Sequence, residues 1–294
     1  MHQNDEDILK RVRRIEIKTR GLSDEIFAGK YHTAFRGRGM SFAEVREYRV
    51  GDDVRDIDWN VTARSDRAHV KVYEAERELT MMLLVDVSPS RMFGTKELTK
   101  KNLITEVAAT LAFSASKNND KVGCILFSDR IERFIPPKKG RSHILMIIRE
   151  LVGFQPTGSA TNISEALRYL VGVNKKRTTS FLLSDLVNSP EDMPRLEDAL
   201  KIASSKHDIM AIRIFDERDR ELPDVGILEV TDSETGSSEW IDTSSRRVRD
   251  YWRESYDRRR NEMASLLKHN RVDMAEVATD GDYVVELIKM FKQR

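Results

Sequence analysis

The chain has 294 residues, 39% apolar and 34% charged, with 50 Lys and Arg against 49 Asp and Glu. That length allows one large domain or two small ones, and the apolar fraction is enough for a substantial core. The balanced charge gives no global pull toward nucleic acid or anionic membrane, no segment approaches the roughly 20 apolar residues that span a bilayer, and a single cysteine, Cys124, excludes an intrachain disulfide and a cysteine-built zinc site.

The start, Met1–Asp7, is acidic and polar, unlike a signal peptide. With Cys124 read as a reduced core thiol, it predicts a cytoplasmic protein. Residues Asp7 to Ala28 carry Ile8, Val12, Ile15, Leu22 and Ile26 at near-helical spacing, which predicts an amphipathic helix. The Gly/Arg-rich stretch Phe35–Met40 breaks regular structure. Phe42 to Glu78 reads as short strands and turns, with Trp59 as an anchor onto the main domain. Residues 1–78 are therefore expected to form a helix and β-rich extension packed on a main domain at 79–294.

From Leu79 the pattern changes. Strands are predicted at Thr80–Val87, Lys121–Ser128, Arg130–Ile135, Ser180–Asp185 and Ile209–Phe215. Between them run helix-period sets such as Ile104, Val107, Ala108, Leu111 and Ala112, or Ile163, Ala166, Leu167 and Leu170. This alternation predicts an α/β fold, a doubly wound, mainly parallel sheet with right-handed crossovers. A hairpin (Gly226–Thr231 and Ser238–Ile241 around a polar turn), a long charged helix (Ser245–His269), a strand (Val272–Ala278) and a helix (Tyr283–Phe291) follow.

Ligands of such sheets bind beyond the carboxyl ends of the strands, where the winding reverses. The first predicted strand ends in Asp86-Val87-Ser88-Pro89-Ser90, which offers three hard oxygen donors at alternate positions. Such donors suit Mg²⁺ or Mn²⁺. Two further loops carry matching chemistry. Thr161 precedes the helix at Ile163, with Asn162 placed to cap it and Glu165 as capping-box partner. Asp185 ends the buried run Phe181–Ser184. The bland alternative is that both acids bind loop amides and the hydroxyls satisfy turns.

Asp86, Ser88, Ser90, Thr161 and Asp185, in that order and spacing, resemble the metal-ion-dependent adhesion site of von Willebrand factor A-type domains. That resemblance implies a Mg²⁺ or Mn²⁺ ion with one position open for an acidic side chain of a partner. Leu186 departs from the pattern, because glycine often follows the third-loop Asp there. The segment Gly37–Phe42, Val45–Asn60 and Ala63-Arg64, running into Lys71–Glu74 and Glu76–Glu78, together with Asp86–Gly94, closely resembles the bacterial family catalogued as domain of unknown function fifty-eight. The resemblance covers nearly the whole chain. It implies an adaptor or co-chaperone whose partner is a MoxR-type AAA+ ATPase or another von Willebrand A-type protein.

Three rival motifs are weaker. Asp52-Asp53-Val54-Arg55-Asp56 imitates a diphosphate-binding box, but Gly51 precedes it and Arg49 and Arg55 are placed to pair with the acids. The basic run Arg246–Arg260 is broken by Asp250, Glu254 and Asp257, while Val248, Tyr251, Trp252, Tyr256, Met263 and Leu267 make a core stripe, so nucleic acid is not expected. A metal-dependent hydrolase acting on phosphate esters is the alternative function. However, no His-Glu-x-x-His and no phosphate loop is present in the sequence, and Ser88 rather than an Asp stands two residues after Asp86, so no catalysis is expected.

Overall fold

In a computed structural model of the protein, residues 10, 12–19, 41–65, 67–74, 79–92, 99–188, 190–231 and 237–293 are described. The outer parts of the predicted first helix, the Gly/Arg stretch at 35–40, Glu76–Glu78 and most of the Asp232–Ser237 turn lie outside the described residues. The chain divides into two compact units. One is Phe35–Leu79, and the other joins Met1–Ala34 to Thr80–Arg294.

In the smaller unit, β1 (Ser41–Glu47) pairs antiparallel with β2 (His69–Glu74), with a register shift between Phe42 and Glu44. Between them lie a 3-10 turn (Val54–Asp56) capped by Asp53 and a helical turn (Trp59–Thr62) capped by Asp58. Asp52 accepts from both guanidinium ends of Arg46, at 2.7 and 2.8 Å, and from the Arg49 amide at 2.7 Å. These bonds, Arg46 first, hold its carboxyl down at about 2. The acidic run is thus a salt-bridged turn, although the pairing cation is Arg46 rather than the side chain of Arg49 or Arg55. Trp59 is 67% exposed.

The larger unit runs β3 (Thr80–Asp86), α1 (Lys100–Lys117), β4 (Lys121–Phe127), β5 (Ile131–Lys138), α2 (Arg141–Gly153), α3 (Ile163–Val173), β6 (Thr179–Ser184), α4 (Met193–Lys206), β7 (Asp208–Phe215), β8 (Ile227–Thr231), β9 (Ser238–Asp242), α5 (Arg246–His269), β10 (Asp273–Ala278) and α6 (Tyr283–Lys292). Six strands form one sheet in the order β10-β7-β6-β3-β4-β5, and all neighbours are parallel except β4 and β5. This is the doubly wound, mainly parallel α/β sheet that strand–helix alternation predicts.

The central strands are mostly apolar because helices cover both faces. Alternate residues of β3 point opposite ways. Met82 and Leu84 enter a core with Ile163, Leu167 and Leu170 of α3, Leu196 and Leu200 of α4, and Met263 and Leu267 of α5. The opposite face holds α1, buried along almost its whole length, together with α2 and α6. There Phe181 meets Phe291 edge-on at 6.1 Å, and Thr110 meets the Tyr283 hydroxyl at 3.3 Å. β5 contains Pro136 and Pro137, which an edge strand tolerates because its outer amides need no partner. Residues 12–19 form a helical segment held by Lys18 Nζ on Glu106 at 2.6 Å and Arg141 Nε on Glu16 at 2.7 Å.

β8 and β9 form the expected hairpin as a separate two-stranded sheet. On α5, Tyr256, Met263 and Leu267 are buried, whereas Tyr251 is 70% exposed and falls off the predicted stripe. Its arginines meet acids, in the pairs Arg246–Asp250, Arg253–Asp250, Arg249–Asp224 and Arg260–Glu276. The basic run is a charge-paired helix.

Candidate functional site

The chain leaves β3 toward β4 and β5, then crosses back to β6 and onward to β7 and β10. The winding therefore reverses between β3 and β6, and the loops after these two strands part to open a crevice. Asp86 is the last residue of β3 and Ser184 the last of β6. This topology brings the first and third predicted loops to the same point.

Asp86 is 2% exposed. Its Oδ1 accepts from the Ser88 amide at 2.9 Å and its Oδ2 from the Ser184 hydroxyl at 2.6 Å. Burial, reinforced by the neighbouring Asp185 charge, pushes the Asp86 carboxyl up to about 6. Ser88 is fully buried and Ser90 half-buried, and their hydroxyl oxygens lie 3.0 Å apart. Two oxygens in adjacent positions of an octahedral Mg²⁺, each at about 2.0–2.1 Å, are about 2.9 Å apart. The serine pair already has that separation.

The second loop is held from below. Glu132 of β5 accepts from the amides of Thr157 at 2.9 Å and Gly158 at 2.7 Å, and from the hydroxyls of Thr157 at 2.8 Å and Ser128 at 2.7 Å. A Cβ at Gly158 would lie 2.0 Å from Asp129 Oδ1 and 2.2 Å from Ser128 Oγ, so only glycine allows this approach. The Asn162 amide donates to the Ser128 carbonyl at 2.8 Å, which brings Thr161 to the carboxyl end of β4, next to β3. Asn162 caps α3 as expected, accepting from the Glu165 amide at 3.0 Å. Thr161 is 8% exposed, and its hydroxyl oxygen is buried with no hydrogen-bond partner among the described residues.

In the third loop, Asp185 is 7% exposed. Its Oδ1 accepts from the Val187 amide at 3.3 Å, its Oδ2 lies 3.6 Å from Lys100 Nζ, and its carbonyl accepts from Arg213 Nε at 3.2 Å. Lys100 also contacts Asp219 Oδ2 at 2.7 Å. Leu186 has φ 55°, the left-handed conformation that suits glycine, while its side chain is buried in the core. Loop amides thus use one oxygen of each carboxylate and the two serine hydroxyls bond each other, as the bland alternative expects, but the Thr161 hydroxyl is left unexplained.

Sequence reading missed Ser184, Glu132, Lys100, Asp219 and Arg213. Ser184 had a local signal, a hydroxyl at the end of an otherwise apolar strand. The others act across elements and had none. Among the described residues no group of three or more His, Cys, Asp or Glu side chains gathers around a metal-sized space, so the candidate donors are two carboxylates and three hydroxyls.

An uncharacterised protein of Mycobacterium tuberculosis is 27% identical over 99% of this chain and 91% of its own length. Among solved structures, an aerotolerance-related membrane protein from Bacteroides fragilis covers 73% of this chain and 97% of its own, at 15% identity and TM-score 0.49. A von Willebrand factor type A protein from Catenulispora acidiphila covers 77% of this chain and 44% of its own, at 11% identity and TM-score 0.43. The cytoplasmic location expected from the sequence is corrected here, since the B. fragilis protein is described as a membrane protein. No helix among the described residues is long and apolar enough to cross a membrane, but that absence does not place a chain in the cytoplasm. One family profile, described as protein of unknown function DUF58, matches residues 44–262, well over half of the sequence, and the chain belongs to that family.

Proposed function

We propose that this protein is an interaction module that holds a divalent cation, Mg²⁺ or Mn²⁺, through Asp86, Ser88, Ser90, Thr161 and Asp185, and uses it to bind an acidic side chain of a partner protein. The observation that carries this reading is the Thr161 hydroxyl, buried without a partner among the described residues at the carboxyl end of β4, next to β3. An unpaired buried hydroxyl costs about 1–3 kcal/mol, and an ion would remove that cost. Support also comes from the 3.0 Å serine pair, whose separation suits two ligands of one ion, and from the buried Asp86 carboxyl, which burial first and then the Asp185 charge push up. When bound, the cation would supply an electrophilic centre that accepts a further oxygen donor, such as an external carboxylate, beside the two carboxylates and three hydroxyls.

The residues divide the work. Ser184 and the Ser88 amide orient Asp86, Glu132 fixes the loop that carries Thr161, and Arg213 steadies the Asp185 backbone. The family resemblance makes a MoxR-type AAA+ ATPase the partner class to try first, with the chain as its adaptor or co-chaperone. Calorimetric titration with MnCl₂ should show binding to the wild type and none to Asp86→Ala, the variant remaining folded by circular dichroism. Indistinguishable titrations would sink the metal site. Capture of such an ATPase should fail in EDTA, and capture that survives EDTA unchanged would count against a metal bridge.

A further inference from the structure

We infer that the Lys100 ammonium is a built-in counter-charge of this site, competing with a divalent cation for Asp185 and setting how weakly the cation is held. The inference rests on the metal-site reading above. Lys100 is the first residue of α1, behind the Thr99 cap, and is 4% exposed. Its Nζ lies 2.7 Å from Asp219 Oδ2 and 3.6 Å from Asp185 Oδ2. Asp219 is itself fixed, because its Oδ2 accepts from the Asp216 amide at 2.9 Å and Asp216 accepts from the Thr279 hydroxyl at 2.7 Å.

The ammonium is thus tethered on one carboxylate and shared with a second that is a candidate ligand. Such sharing has two effects. Without an ion, Asp185 is not left as an uncompensated buried charge, so the loop keeps its shape. With an ion, a fixed positive charge stands beside one of only two ligand carboxylates, and repulsion at that range in a buried site lowers affinity. Charge count among the ligands is a principal control of divalent affinity. The shorter contact to Asp219 leaves the ammonium a place to remain when an ion draws on Asp185.

The test is titration of the full chain with MgCl₂ and MnCl₂, comparing wild type, Lys100→Met, Lys100→Arg and Asp219→Asn. Lys100→Met should bind about tenfold more tightly or better, since a neighbouring like charge is removed. Lys100→Arg keeps the charge and should stay near wild type. Asp219→Asn weakens the tether, drives the ammonium onto Asp185, and should bind more weakly than wild type. In EDTA, Lys100→Met should melt below wild type, and MnCl₂ should remove that difference. Equal dissociation constants for wild type and Lys100→Met overturn the inference and leave the metal site standing. No binding by either overturns both. Should Lys100→Met fail to fold, Asp219→Asn binding as tightly as wild type would overturn it instead.

Discussion

Leu186 shows two residue-scale forces in opposition. Its φ of 55° costs an L-residue about 1–2 kcal/mol, whereas burying a leucine side chain contributes about 2–5 kcal/mol by the measure of its truncation. Burial wins, which is how a leucine can stand where the resembled pattern often has glycine. Leu186→Ala and Leu186→Gly remove the same packing, but only glycine suits the backbone. In denaturant unfolding both should destabilise, with Leu186→Gly about 1 kcal/mol the milder. The opposite order would show that the left-handed backbone is not what distinguishes this position. Asp86 sets the other residue-scale expectation. With its carboxyl pushed up to about 6, protons would compete with the proposed cation for the same oxygens. Divalent affinity should therefore be flat above neutral pH and fall steadily below pH 6, as calorimetry at successive pH values would read.

At the scale of elements, the site is three loops, each fixed by a different neighbour. The first is tied to β6 by Ser184, the second to β5 by Glu132, and the third to α1 by Lys100 and to β7 by Arg213. Arg213 extends this further, because it bonds Glu276 of β10 at 3.0 Å and lies 4.9 Å from the Tyr256 ring of α5. Glu132 is the simplest of these supports to remove. Glu132→Ala deletes a charged acceptor of four hydrogen bonds and should cost about 2 kcal/mol. Amide exchange at Thr157 and Gly158 should accelerate and the affinity for Mn²⁺ should fall, because Thr161 is no longer held at the edge. Unchanged protection of those two amides would mean that the loop holds itself.

Across the whole molecule, the two ends of the sheet behave differently. The carboxyl end concentrates charge, while the amino end is sealed by contacts such as His207 with Thr178. His207 is 1% exposed, its Nδ1 accepts from the Thr178 amide at 3.3 Å, and its Nε2 has no partner among the described residues. Burial first, then the charges of Lys206 and Arg177, hold its titration below the usual 6.5. The unfolded chain therefore takes up this proton more readily than the folded one. Stability should be fully present above pH 6.5 and be lost as pH falls from there toward the depressed value. His207→Leu should flatten that part of the profile in EDTA, where no cation binding intervenes; a slope unchanged in the variant would assign it to another group.

The sequence by itself determined the sheet strands and the alternation with helices, and it singled out five candidate oxygen donors. These are local signals, since apolar runs mark β3, β4, β6 and β7, and each donor sits immediately after such a run or before a cappable helix. Asp52 illustrates the limit of local reading: a salt-bridged turn was legible, but its partner proved to be Arg46. Only the tertiary structure decided that Lys100 stands beside Asp185, that Glu132 braces the Thr161 loop, and that Leu186 takes a left-handed backbone as the chain leaves β6. Each of these depends on strand order and on which helix face is buried. Those are set by packing the whole core at once, and no periodicity within a single segment encodes them.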